Sequence, residues 1–519
     1  MNKCEPFAVA RSSQVSLESL KMSANSDQQM SVLDRAWTQI ARAVRGFGSK
    51  KNAEELVLKP GITKSDEAKL IEAFSECIEH RGGEVRARAR AATLGQAYLR
   101  LSNDGRRRFL QILAQDFDID RNNINKLMDS VREAKDADAR IKAEKSLKKA
   151  LVPPRVEVLR QFNALPNGAK FLVDLRADLL VWQRETPLFA GLQEDLKSLL
   201  ANWFDIGFLE LKQIDWSASA QLLEKLIQYE AVHRIRSWDD LKKRLEFDRR
   251  CYAFFHPRMP NEPLIFVEVA LVNGIAGDVG KLLDESRTAI DPSLADTAIF
   301  YSISNAQAGL AGISFGDFLI KRVVASLSNE LPNIKTFATL SPIPGLRKWM
   351  KKPSEIANGI PLSNDQVDVL KDFVQKRGGA QEKAVGDVNS ATEEIDASNK
   401  IALIEAALSI PEWHKKPDIV QILKPPLICL AANYLGMCKR EDGRALDPVA
   451  HFHLSNGARM ERLNWAADLS ENGLRQSAGL MINYLYRLPA IDENHEAYSA
   501  PDRRIIMSSA VKSAATIGK

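Results

Sequence analysis

Few residues in this chain of 519 pair a reactive side chain with a setting that would use it. The stretch "FATLSPIPGLRKW", residues 337–349, begins like a strand and stops at Ser341, with Pro342 and Pro344 following. A nucleophilic serine usually sits on a Gly-x-Ser-x-Gly elbow that leads straight into a helix. Pro342 disfavours the α region for Ser341, so no helix begins there. The two prolines fix φ at their own positions and remove two donors, which suits a hydroxyl that orients a group rather than attacks one. "DPVAHFHLSNGA" holds His451 and His453, two apart. Read as a strand, period two puts both on one face near a turn, where an imidazole can act as acid or base around neutral pH. The plainer reading is an exposed polar face. No cysteine or carboxylate stands at ligand spacing, so no metal is expected. "FYSIS" sets Ser302 and Ser304 on one strand face, with Tyr301 and Ile303 on the other. Two buried hydroxyls need partners, and a backbone contact would satisfy them. "MINYLYRL", read as a helix, points Tyr484 and Tyr486 in different directions, one into the core. His256 in "FFHPRMP" ends a strand and reads as a turn cap. Singly, none of these residues carries a catalytic claim.

One loop has a different chemistry. "QAGLAGISFGDFLIKR" places Gly309, Gly312 and Gly316 before a helix from about Phe315 to Leu331. Glycines let a backbone approach a ligand, and a helix N-terminus offers free N–H groups to an anion. Lys321 and Arg322 add charge or are simply solvated. The loop is neither a Walker A nor a dinucleotide fingerprint. It resembles the pyrophosphate loop of Gcn5-related N-acetyltransferases (GNAT), with Gln307, Gly309 and Gly312 one place out of register. A structural turn is the competing reading.

The elements that would position these residues fall into two parts. The length predicts two or three domains. Residues from about 32 to 202 read as helices: "DRAWTQIARAVRGF", a helix opened by a capping box from Thr63 to Asp66, and a charge-laced exposed helix in "NINKLMDSVREAKDADARIKAEKSLKKAL". This part carries no chemical motif and reads as a packing or oligomerisation module. Beyond it "RCYAFFHP" and "EPLIFVEVALV" form a strand pair, and "TAIFYSISN", the glycine loop, a helix and "IKTFATLSPI" form a βαβ unit. "KRGGAQEKAVGDVNSATEEIDASNK", residues 376–400, reads as a mobile insertion, and residues 1–28 as a disordered tail. "NGLRQSAGLMINYLYRL" reads as a closing helix. The fold expected is α+β and multidomain, an all-α bundle over 29–204 and an α/β domain over 205–519.

Bulk properties exclude several classes. The chain carries 72 basic and 67 acidic residues, a net charge of +5, which gives no case for nucleic acid. Its five cysteines lack Cys-x-x-Cys spacing, so a disulfide framework or zinc site is not expected and a reducing compartment fits. No apolar run is expected to reach across a bilayer. The start lacks a charged segment followed by an apolar one, and the end is not Ser-Lys-Leu, so a cytoplasmic location is expected, with a weak transit peptide as the alternative.

"FYSISNAQAGLAGISFGDFLIKRVV", "LSPIPG", "DPVAHFHLSNGA", "LNWAADLS" and "GLMINYLYRL" occur in this order. Together they closely resemble the malonyl-CoA decarboxylase family, over about residues 203–488. The resemblance implies an N-terminal helical domain used in tetramer assembly and a GNAT-like catalytic domain. It implies conversion of malonyl-CoA to acetyl-CoA and CO2, in malonate or fatty-acid metabolism, with no metal or organic cofactor, nucleic acid or membrane. Its functional residues fall on Ser341, His453, Ser302 and Tyr486, and its coenzyme A loop on Ala311, Gly312, Ile313, Ser314, Phe315, Gly316 and Asp317. By that resemblance His453 hydrogen-bonds the thioester or enolate and donates a proton, Ser341 orients the malonyl carboxylate, and Ser302 and Tyr486 complete the set. Two other functions compete: an acyl-CoA N-acyltransferase on the same fold, and a non-enzymatic assembly protein that binds acyl-CoA.

Overall fold

The structure, a computed structural model, describes residues 56–313, 319–352, 359–377 and 397–516. The expected tail and the helix expected in "DRAWTQIARAVRGF" lie outside the described residues, as do Ser314, Phe315, Gly316 and Asp317 of the candidate loop. Most of the expected insertion, 378–396, lies outside them too. Its flanks are helical: Arg377 closes the Asn364–Arg377 helix and Ala397 opens the Ala397–Leu408 helix. The chain divides into two compact units, Met1–Asp205 with Gln307–Ser314, and Ile206–Ala306 with Phe315–Lys519.

The first unit is helical. The Lys64–Ile78 helix opens as the sequence predicts: the Asp66 carboxylate accepts the Thr63 N–H at 3.0 Å and its hydroxyl at 2.7 Å. Leu70, Phe74 and Cys77 are buried at helical spacing along it. Phe74 and Tyr98 both pack edge-on against Phe109, and Phe171 joins Tyr98 to Phe162, with ring centroids 5.0–5.6 Å apart. The charge-laced stretch is two helices rather than one, Arg121–Arg132 and Ala137–Ala150. Asp136 causes the break, accepting the Ala139 N–H at 2.7 Å as a fresh N-cap. The second of these helices buries no residue, as its charge pattern predicts.

The second unit is built on a mixed sheet with strand order β1-β2-β3-β4-β5-β8-β6, β7 pairing with β8. The strands are β1 Glu210–Ile214, β2 Arg249–Phe255, β3 Ile265–Val272, β4 Thr297–Asn305, β5 Thr336–Thr339, β6 Ser341–Pro342, β7 Arg459–Asn464 and β8 Met481–Tyr486. Among the described strands only β4 and β5 pair in parallel, around the Leu319–Glu330 helix, which is the βαβ crossover expected. Alternation along the strands splits the core. Cys251, Ala253, Phe255 and Phe266 pack against Leu223, Leu226 and Leu241 of the Ala220–Tyr229 and Trp238–Arg244 helices. Ile299, Tyr301, Ala338, Leu340 and Met481 form a separate cluster.

Three expectations are corrected here. His451 and His453 lie on a helix, Pro448–Ser455, not a strand. Asp447 nucleates it, accepting the Val449 and Ala450 N–H groups at 2.9 Å each, Pro448 fits its first position, and Gly457 follows its end at φ 79°. Tyr484 and Tyr486 lie on a strand, not a helix. The helical stretch before them, Glu471–Ser477, stops where Ala478 and Gly479 take φ of 53° and 81°. Finally, one apolar helix is longer than expected. Among the described residues Pro417–Gly436 has the length and composition to cross a membrane. Leu423, Leu427, Leu430 and Leu435 are buried on it, the pattern of a core helix.

Candidate active site

Both secondary-structure corrections bring the candidate residues closer together. β6 begins at Ser341 and pairs with β8 through Ile482, so the serine lies beside the strand that carries both tyrosines. The Pro448–Ser455 helix presents His453 to the same place. The Ser341 Oγ lies 3.0 Å from His453 Nε2, and His453 Nδ1 lies 2.8 Å from the Tyr486 hydroxyl. The Tyr484 ring stacks on the imidazole at 4.5 Å between centroids, tilted by 25°. Two residues apart on a helix, the histidines diverge. His453 is buried, while the half-buried His451 turns its Nδ1 to the Tyr498 hydroxyl at 3.0 Å. His451→Ala, which removes a contact to Tyr498 and none to Ser341, is therefore expected to keep the site's activity within about twofold of wild type; a collapse in steady-state rate would show that the wrong imidazole has been chosen.

Sequence reading missed two members of this group. Thr339 accepts the Ser341 hydroxyl at 2.8 Å and the Tyr484 N–H at 3.1 Å. Its carbonyl accepts Asn483 Nδ2 at 2.7 Å. The signal was available, because Thr339 stands two before Ser341 on a strand and so shares its face. Tyr484 stands in the same relation to Tyr486, and the helical reading concealed it.

The hydrogen bonds assign the proton positions. The Tyr486 hydroxyl is buried, and burial holds its pKa well up, so it stays protonated. Ser341 donates to Thr339, so its oxygen meets His453 as an acceptor; a neutral imidazole then carries its proton on Nε2 and accepts the Tyr486 hydroxyl at Nδ1. His453 then donates to Ser341, and Ser341 donates onward to Thr339. This wiring is the reverse of a serine nucleophile, whose hydroxyl gives its proton to the imidazole. Burial pushes the His453 pKa down to about 3, so the ring is neutral at physiological pH and works as a hydrogen-bond donor.

That burial has a measurable consequence. The unfolded chain protonates this imidazole below about pH 6.5, whereas the folded protein resists until about pH 3. Its folded pKa is depressed, so stability falls as pH drops below the unfolded value. Between pH 7 and pH 5, wild type should lose about 2 kcal/mol more unfolding free energy than His453→Gln, measured by urea titration. Equal losses would contradict a neutral buried ring.

Ser302 is not joined to this chain of hydrogen bonds. β4 runs beside β5 with Phe300 opposite Thr339, which carries Ser302 onto the Ser341 face of the sheet. Its hydroxyl, however, donates to Glu230, 2.8 Å from either carboxylate oxygen, and Ser304 donates to the same group at 3.1 Å. The Val232 and His233 N–H groups complete the carboxylate's donors at 2.8 and 2.7 Å. Burial pushes the Glu230 pKa up and these donors oppose it. Both serines thus share a side-chain partner, and Ser304 also has the backbone contact expected, accepting the Ala231 N–H at 3.3 Å. His256 caps its turn as expected, accepting the Arg258 N–H at 3.2 Å.

Of the candidate coenzyme A loop, Ala311, Gly312 and Ile313 are described. They belong to the helical unit with Gln307 and Gly309. Gly309 is needed for close packing: a Cβ there would fall 1.7 Å from the Val173 carbonyl. Its own carbonyl accepts Arg176 Nη1. Gly312 takes φ 72°, which favours glycine. Lys321 pairs with Asp492 at 2.6 Å, and Arg322 donates to the Leu209 carbonyl at 2.7 Å. No group of three or more histidine, cysteine, aspartate or glutamate side chains is arranged to hold a metal ion among the described residues.

Comparison with known proteins places the chain in a family. Residues 207–517 match the family described as malonyl-CoA decarboxylase C-terminal domain, and residues 117–204 its N-terminal domain. The mitochondrial malonyl-CoA decarboxylase of Rattus norvegicus is 35% identical over 435 residues, 82% of this chain and 81% of its own. That of Anser anser anser is 36% identical over 423 residues, 79% and 80% of the two chains. The crystal structure of malonyl-CoA decarboxylase from Rhodopseudomonas palustris is 41% identical, with a TM-score of 0.74 over 86% of this chain and 99% of its own. That from Agrobacterium vitis is 38% identical, with a TM-score of 0.72 over 87% and 100%. The chain belongs to the malonyl-CoA decarboxylase family.

Proposed function

We propose that this protein converts malonyl-CoA to acetyl-CoA and CO2 at the buried Ser341–His453–Tyr486 chain, without a metal or organic cofactor. The observation that carries the reading is the buried imidazole held between two hydroxyls, 3.0 Å from Ser341 and 2.8 Å from Tyr486. The bond between the carboxylate and methylene carbons breaks, and its electron pair moves into the thioester as an enolate. Stabilisation of that oxyanion lowers the barrier only if the donor is already in place. His453 Nε2–H supplies such a donor, as neutral imidazoles elsewhere polarise carbonyls. When substrate binds, the Ser341 hydroxyl turns from Thr339 to the malonyl carboxylate and holds it out of the thioester plane, so that the breaking bond aligns with the π system. The proton on Nε2 passes to the methylene carbon, and solvent returns one proton to the imidazole, so one proton is taken up for each CO2 released. Tyr486 fixes the tautomer. Ala311, Gly312 and Ile313, with 314–317, are assigned to coenzyme A. A cytoplasmic location and a homotetramer belong to the same proposal, tested by cell fractionation and light scattering.

Purified protein, dialysed against a chelator, should turn malonyl-CoA into acetyl-CoA, followed by chromatography of the thioesters. Acyl transfer to an added amine without CO2 would favour the acyltransferase instead. Binding with no turnover would favour the assembly protein.

A further inference from the structure

The Ser341–His453 contact joins two segments more than a hundred residues apart, and each ends on the same carboxylate. Asp447 is fully buried. One of its oxygens caps the His453 helix through Val449 and Ala450, as described. The other accepts the Tyr434 hydroxyl at 3.1 Å. Gly345, at the end of the Ser341-Pro-Ile-Pro-Gly turn, lies against this carboxylate, where a Cβ would fall 3.5 Å from Asp447 Oδ2, and its N–H dipole favours the charged form against burial. Gly345 leaves room for the arrangement: a Cβ there would fall 1.9 Å from the Tyr434 hydroxyl. The Tyr434 ring packs on Trp349 at 5.3 Å, anchoring it to the helix that follows the turn.

We propose that Asp447, braced by Tyr434, is the positioning residue that sets the Ser341–His453 distance. Neither side chain is in the hydrogen-bond chain from Tyr486 to Thr339, so both act through geometry. The inference rests on the Ser341–His453 reading of the site. A donor displaced by about 1 Å can lose on the order of 10²-fold in rate, so partial loosening of the brace should cost about tenfold. The sensitive probe is Tyr434→Phe, which removes one hydroxyl and keeps the ring packing. Asp447→Asn is the second probe. Asparagine caps a helix as well as aspartate does, but its amide offers donors where the Tyr434 hydroxyl also donates.

The experiment is steady-state decarboxylation of malonyl-CoA at a temperature where circular dichroism shows every variant folded. Tyr434→Phe should lower kcat about tenfold with KM within about twofold, and Asp447→Asn should lower it further. In a Ser341→Ala background Tyr434→Phe should have no further effect, because the contact it supports is gone. A wild-type kcat in Tyr434→Phe, or the same tenfold loss in both backgrounds, overturns the brace while leaving the site intact. A wild-type rate in Ser341→Ala itself overturns the site, and the brace with it.

Discussion

His453→Ala should lose about 10³-fold in kcat for malonyl-CoA decarboxylation while still binding coenzyme A. Removal of one preorganised oxyanion donor costs about 10²–10³-fold, and loss of a positioned acid costs about 10²–10⁴-fold. Because the same imidazole supplies both, the two losses overlap rather than multiply. On this account His453 acts on the acyl end of the substrate, so coenzyme A affinity measured by calorimetry should change less than about threefold, a change too small for a lost hot-spot contact. Truncation also leaves the Tyr486 hydroxyl without its buried partner, while Ser341 keeps its bond to Thr339, and the orphaned group lowers stability by roughly 1–3 kcal/mol. Activity is therefore to be compared in protein shown to be folded, with His453→Gln as the smaller perturbation. Decarboxylation near the wild-type rate in either variant would remove His453 from the chemistry.

Ser341→Ala should lower kcat by about 10²-fold, and the size of that loss distinguishes two mechanisms. Losing a catalytic nucleophile costs about 10⁶-fold, because a covalent route disappears. Losing a group that orients a carboxylate costs only what that orientation contributed, on the order of 10²-fold. The hydrogen bonds favour the smaller figure. Ser341 gives its proton to Thr339 and receives one from His453, so no base faces its hydroxyl. The pyrrolidine rings of Pro342 and Pro344 narrow the turn that follows, which suits a fixed hydroxyl. A loss of about 10⁶-fold in steady-state rate would instead indicate an acyl-enzyme.

The βαβ crossover, the β2–β3 hairpin and the Thr63–Asp66 cap were legible because each rests on local pattern or capping chemistry. So was the face shared by Ser302 and Ser304. The two misread elements lie where short segments present ambiguous periodicity. "DPVAHFHL" alternates like a strand, yet Asp447 and Pro448 make a strong helix start, and the cap outweighs the alternation. "MINYLY" follows a helix without a proline, and only the left-handed pair Ala478–Gly479 breaks it. The motifs themselves selected Ser341, His453 and Tyr486 without regard to those elements, and the structure brings the three together. Glu230 as the partner of Ser302 was not legible, because 72 residues separate them and only the sheet brings them together. Arg176 beneath Gly309 lies 133 residues away for the same reason.

The most direct test is a single turnover of carboxyl-labelled malonyl-CoA by excess enzyme, with labelled CO2, acetyl-CoA and intact protein mass followed together. The prediction is one CO2 and one acetyl-CoA for each malonyl-CoA consumed, with the protein mass unchanged throughout. A malonyl or acetyl adduct on Ser341 that forms and decays at the turnover rate, or consumption of malonyl-CoA without CO2, would contradict a positioning serine beside a neutral histidine donor.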